Sequence, residues 1–197
     1  QPDLSTTIVI AVTMAAILFL SGINHKIVTA VIVIAIPVFC IFGYFVVQPD
    51  TGKKILSEYQ YNRIVGFFQD DNETAKKIRY QQENSLLAIG SGGLTGKGLY
   101  NNTVTSVKNG KLLSESHTDF IFTIVGEELG FVGAAAVILL LFMIVLECFI
   151  TGSRAPTFSG KLFCFGFGVL IAIQSFVNIA VATFLLPNTG VTLPFVS

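Results

Sequence analysis

Four apolar stretches separated by polar ones divide the chain, at residues 4–23, 27–47, 120–150 and 162–186. Each has about the 20 residues, or more, that a helix needs to cross the hydrocarbon core of a bilayer. Asp3 or Ser5 is placed to cap the first, since either side chain accepts a free N–H of a first helical turn. Asn24-His25-Lys26 then leaves only a very short turn before the second. That second stretch is rich in Ile and Val and contains Pro37, which removes a backbone hydrogen bond and predicts a kink.

The third stretch is too long for one perpendicular span, and its first turns contain Gly126, Glu127, Glu128 and Gly130. The pattern predicts an opening that is tilted, interfacial or buried in protein, with the true span running from about Leu129 to Phe149. Residues 151–160 form a polar turn, and Lys161 opens the last span. Beyond it, Leu186-Pro187-Asn188-Thr189-Gly190-Val191-Thr192-Leu193-Pro194 is punctuated by Pro and Gly at membrane depth.

Residues 48–118 have a different character, with nine of the twelve Lys and Arg residues beside many acids, Asn and Gln. They read as one long extramembrane loop. Within it, residues 56–64 and 75–88 predict short amphipathic or interfacial helices, and residues 69–73 a solvated turn. A structureless loop of this length is uncommon unless it serves as a lid or binding element, so it is the first place to look for function. The expected fold is an all-α integral membrane protein: a polytopic helix bundle with about four spans in one transmembrane domain. Lys26, Arg154 and Lys161 lie in the short turns on one side, which the positive-inside rule makes cytoplasmic. The long loop and the segment after Leu186 then share the outer face.

Composition sharpens this picture. Hydrophobic residues make up 52% of the chain and charged residues 12%, with a mean hydropathy of +0.73, far from the roughly 25% charged residues of soluble proteins. The formal net charge is zero, so there is no basic excess to displace counterions from a nucleic acid. Cys40, Cys148 and Cys164 sit inside apolar runs without metal-ligand spacing and read as small core residues. The chain opens on Gln1 with no signal-peptide pattern and stops on apolar residues, which leads to the expectation of an interior piece of a longer protein.

Two stretches carry candidate chemistry. Ala88-Ile89-Gly90-Ser91-Gly92-Gly93-Leu94-Thr95-Gly96-Lys97-Gly98 fails the phosphate-loop pattern, because Ser91 and Gly98 stand where Gly and Ser or Thr are required. A glycine-rich turn still exposes backbone N–H groups, and with Lys97 it makes a reasonable cradle for a phosphate. The other stretch is Ser116-His117-Thr118-Asp119-Phe120-Ile121-Phe122, where the polar loop meets the third apolar run. Thr118 or Asp119 as a helix cap is the structural alternative there. Functionally, an Asp partly desolvated by Phe120 and Phe122 is fitted to take a proton from a hydroxyl nucleophile. Glu127 and Glu128 stand near the bilayer, where ionisable groups have a functional or buried-pair role. Gln174 and Asn178 share a face of the last helix and are expected to bond neighbouring elements more than substrate.

Taken together, Gln1-Pro2-Asp3-Leu4, Ala88 to Leu94 with Gly96-Lys97-Gly98-Leu99, His117-Thr118-Asp119-Phe120-Ile121-Phe122, Gly126-Glu127-Glu128-Leu129-Gly130-Phe131 and Leu186-Pro187 through Ser197 resemble the SEDS family of shape, elongation, division and sporulation proteins. Gly96-Lys97-Gly98 is more similar to its RodA branch than to FtsW. Ser5, Ser114 and Asn188 depart from the family pattern.

The resemblance implies a multi-pass protein of the bacterial inner membrane that polymerises lipid II into peptidoglycan glycan strands on the outer face, beside a class B penicillin-binding protein that cross-links them. It implies Asp119 as the essential acidic residue, placed to deprotonate the attacking sugar hydroxyl. Gly92, Gly93, Lys97, His117 and Glu128 are then expected at the substrate. Lys97, with Arg63 or a divalent cation, would offset the pyrophosphate charge; the metal ligands stay unassigned. Two other readings remain open from the residues: a flippase for a lipid-linked precursor, and a non-catalytic scaffold of the cell-wall machinery. A flippase should gather ionisable residues near the midplane, whereas Asp119, Glu127 and Glu128 cluster at the outer boundary.

Overall fold

The computed structural model describes residues 4–22, 26, 29–31, 33, 34, 37, 43, 58–68, 73–99 and 118–197. Five helices are bounded within them: α1 (Leu4–Leu20), α2 (Glu58–Phe68), α3 (Glu73–Ser91), α4 (Ile121–Arg154) and α5 (Phe158–Ala182). No strand occurs among the described residues. Most of the expected second span, residues 1–3, and His117 with the loop before it lie outside the described residues.

Two helices, α4 and α5, are long and apolar enough to cross a membrane. Their outward side chains are large and hydrophobic; Leu139, Leu140, Phe142 and Phe163 are all more than half exposed. Such an exterior is unfavourable in water and favourable in hydrocarbon. The turn between them is closed by Thr157, whose hydroxyl accepts the Gly160 amide and caps α5. α1 lies against α5, where Ile17 reaches Gly166 so closely that a Cβ there would stand 2.6 Å from its Cδ1. Close approach at small residues is how helices associate when no water is there to drive them together.

As one straight rod, the 34 residues of α4 would extend about 51 Å, well beyond a hydrocarbon core of about 30 Å. The rod is broken at Gly130, whose φ of 66° and ψ of −163° are non-helical. Residues 121–129 form a short half-helix, and residues 131–154 supply the long apolar part. The two halves have opposite surroundings. Phe122, Thr123, Ile124, Gly126 and Glu127 are buried in protein, whereas the second half buries few of its side chains.

The half-helix is enclosed by α3, the end of α5 and the segment after it. Ala88, Phe120 and Val181 form one apolar cluster, with Val177 and Leu186 against it. Phe122, Ala134, Leu141, Ala182 and Leu193 form a second. α2 packs on α3, and α3 in turn packs on α4.

Candidate functional site

Asp119 immediately precedes the half-helix and is partly exposed, between exposed Thr118 and Phe120, which is 1% exposed. The N-cap position belongs to Phe120, which provides no capping side chain, so neither Thr118 nor Asp119 occupies the cap expected of the structural alternative. The Asp119 backbone is instead held from α5. Asn178 is fully buried, and its Nδ2 donates to the Asp119 carbonyl at 2.9 Å and to the Val191 carbonyl at 2.7 Å. Two facing carbonyls fix which end of the amide is nitrogen, since the flipped amide would set three oxygens together. On the other side, Ser197 Oγ donates to the Thr118 carbonyl at 3.2 Å.

A second buried amide repeats this device. Gln82 of α3 donates through Nε2 to the carbonyls of Val181 at 3.2 Å and Leu186 at 2.8 Å. Ser85, one turn on, donates to the Ala182 carbonyl at 2.8 Å and accepts from Thr123 of the half-helix. The bonds to Val181 and Ala182 reach carbonyls in the last turn of α5, where helical i+4 donors run out, and the bond to Leu186 holds the segment after it. Together they tie α3, the half-helix and the C-terminal segment into one unit around Asp119.

Arg63 reaches the same segment from α2. Its guanidinium lies over Gly190, where an added Cβ would meet Nη1 at 2.9 Å, and Gly190 has a φ of 74°. Gly190 adjoins Val191, the residue that Asn178 joins to Asp119. The backbone of Asp119, through Asn178, and the guanidinium of Arg63 are thus both brought to the Pro187–Leu193 stretch from distant parts of the chain. Gln174 adds a bond to it, donating to the Thr192 carbonyl at 3.2 Å.

The glycine-rich run is put to a different use from the phosphate cradle expected of it. It is spliced into the break at Gly130. Lys97 and Gly98 donate their amides to the carbonyls of Glu127 at 2.9 Å and Glu128 at 3.0 Å, closing the first half of α4. In return, Phe131 and Val132 donate to the carbonyls of Gly93 at 2.9 Å and Leu94 at 3.2 Å, opening the second half. The amides of Gly92, Gly93 and Gly96 also donate within the protein, so the turn has few N–H groups to offer a phosphate. Close approach requires its glycines: a Cβ on Gly92 would stand 2.0 Å from the Gly126 carbonyl oxygen, and one on Gly96 2.1 Å from that of Glu128.

Lys97 closes the splice with its side chain, placing Nζ 2.8 Å from Oε1 of Glu127, a residue only 2% exposed. The site residues expected from the sequence therefore fall into two groups. Asp119 and Arg63 share the C-terminal segment, whereas Gly92, Gly93, Lys97 and Glu128 share the helix break, roughly 13 Å along the half-helix at 1.5 Å per residue. His117 lies outside the described residues. Among the described residues no group of three or more His, Cys, Asp or Glu side chains is gathered that fits an ion, so the divalent cation implied by the resemblance has no residue set to be assigned to. Glu127 was legible as a candidate for a buried pair but its partner Lys97 was not, and Gln82 and Ser85 as anchors had no distinguishing signal, because these partners lie 30 or more positions away.

A family model for FtsW, RodA and SpoVE, described as a cell cycle protein, matches residues 1–197. Across its whole length the chain is 35% identical to the probable peptidoglycan glycosyltransferase FtsW of Buchnera aphidicola subsp. Baizongia pistaciae, of which it covers 48%. It is 36% identical to that of Idiomarina loihiensis, covering 45%, and 32% identical to the peptidoglycan glycosyltransferase MrdB of Escherichia coli K12, covering 50%. The chain spans about half the length of the curated relatives it matches. A chain from a solved peptidoglycan synthase complex that coordinates polymerization and crosslinking shares the fold, with a TM-score of 0.65 at 24% identity over 100% of this chain and 50% of that one.

Proposed function

The chain belongs to the FtsW/RodA/SpoVE cell cycle protein family, and from that premise we propose that the protein is a peptidoglycan glycosyltransferase. It is a multi-pass protein of the bacterial cytoplasmic membrane that polymerises lipid II on the outer face. The observation that carries this reading is the placement of Asp119: a partly exposed acidic residue beside a buried phenylalanine, its carbonyl joined through Asn178 to a segment over which Arg63 lies. The relatives named as peptidoglycan glycosyltransferases support it.

The chemistry needs one base. Asp119 takes the proton of the acceptor sugar hydroxyl as that oxygen attacks the anomeric carbon of the donor chain. The bond from that carbon to the pyrophosphate oxygen breaks, and undecaprenyl pyrophosphate leaves with the electron pair. The anomeric carbon inverts, and no second carboxylic acid is required because the leaving group departs as a stabilised anion, unlike the alcohol of a glycosidase reaction. Arg63 offers a planar pair of donors suited to phosphate oxygens and offsets the developing charge. Lys97 and the glycine run support the site by fixing the half-helix. The partner in this reading is the class B penicillin-binding protein that the family resemblance implies, cross-linking the strands.

The test is polymerisation of purified lipid II by the full-length protein in detergent, with and without that partner. Glycan strands of several disaccharides are the expected product, and Arg63→Ala should lower kcat/KM by roughly tenfold or more, as for loss of a charged contact to phosphate. Translocation of lipid II across vesicles without polymerisation would replace this reading with the flippase.

A further inference from the structure

Nothing helical fixes the backbone of Asp119. It precedes the N-cap, where φ and ψ are set by tertiary contacts and not by an intrahelical ladder. Among those contacts, the bond from Asn178 stands out: it is made by a residue with no exposed surface, from a rigid helix, directly to the Asp119 carbonyl. The same nitrogen holds Val191, two residues before Leu193, which is 1% exposed and anchored in the second apolar cluster. The amide therefore measures the spacing between two backbones, that of Asp119 and that of the segment under Arg63. Its Oδ1 is buried with no hydrogen-bond partner, so the hydrogen bonds this side chain makes are the two it donates.

We infer that Asn178 is a positioning residue for the reaction proposed above, setting the place of Asp119 relative to the segment over which Arg63 lies, without itself touching substrate. The inference rests on the glycosyltransferase reading. In a general base, a displacement of about 1 Å is enough to lower the rate roughly 100-fold. Substrate binding draws on many other contacts and should change little.

The experiment uses the full-length protein with its penicillin-binding partner and compares wild type, Asn178→Asp and Asn178→Ser. The first keeps shape but removes the N–H donors; the second keeps a hydroxyl too short to reach both carbonyls. Rates are normalised to protein that remains monodisperse and folded, and lipid II binding is measured separately. Both variants should lose roughly 10- to 100-fold in kcat, with KM and the lipid II Kd within about threefold of wild type. If Asn178→Asp does not fold, the KM-against-kcat comparison is carried by Asn178→Ser. Wild-type kcat in either folded variant overturns the inference, as does a loss confined to KM and Kd. Inactivity of the wild type, with lipid II bound, overturns the glycosyltransferase reading and this inference with it.

Discussion

At the scale of residues, the Lys97–Glu127 pair joins the glycine run to the helix that follows Asp119. Its carboxylate is 2% exposed and its ammonium 24%, so water screens the pair only from the lysine side. Removing one partner of a buried pair costs about 3–5 kcal/mol, and the partial exposure of Lys97 places this pair at the low end. Lys97→Met should therefore destabilise the protein by about 3 kcal/mol in thermal unfolding. Adding Glu127→Leu should recover much of that loss, since no buried charge then remains. Equal stability for Lys97→Met and wild type would show that the contact is incidental. The sequence singles out Asp119 because an acid at the junction of polar and apolar runs is visible in one dimension. It could not divide Lys97 from Arg63, two cations of the same loop, because only the folded chain shows that one faces Glu127 and the other Gly190.

At the scale of elements, the break in α4 depends on Gly130. Its backbone lies in a region open essentially to glycine alone, and a Cβ would stand 2.3 Å from the Gly96 amide nitrogen. Gly130→Ala should lose about 3 kcal/mol or more, adding backbone strain to the steric clash. Gly90→Ala is the contrasting case: Gly90 lies in α3 with nothing within 4 Å of an added Cβ. There alanine should stabilise by about 0.5–1 kcal/mol through helix propensity. Comparable losses in the two variants would count against the splice. That the third apolar run divides near residue 129 was legible from its length and its Gly and Glu residues. The division of labour between turn and helix was not, since a glycine run looks the same whether its amides face a phosphate or another backbone. Asn178 presented a similar ambiguity, resolved only when the carbonyls in front of it were known.

At the scale of the whole molecule, the elements among the described residues are all helices, of which α4 and α5 present hydrophobic side chains outward, while polar residues gather around the half-helix. This inversion follows from the composition and was legible from it: too few charged residues exist to cover a surface facing water. Leu139 is 57% exposed near the middle of α4. Leu139→Arg should cost about 3 kcal/mol of insertion free energy, read as a fall in the membrane-integrated fraction of the full-length protein; unchanged insertion would mean that this face does not meet lipid. The chain accounts for about half the length of its relatives, and under the proposed glycosyltransferase function the chemistry rests on one carboxylate within it. The most direct measurement is therefore lipid II polymerisation by wild type and Asp119→Asn, full length, with the penicillin-binding partner and at matched folded concentration. The account predicts glycan strands from wild type and a loss of roughly 100-fold or more in the variant, the contribution of a positioned general base. Equal polymerisation by the two proteins would contradict it.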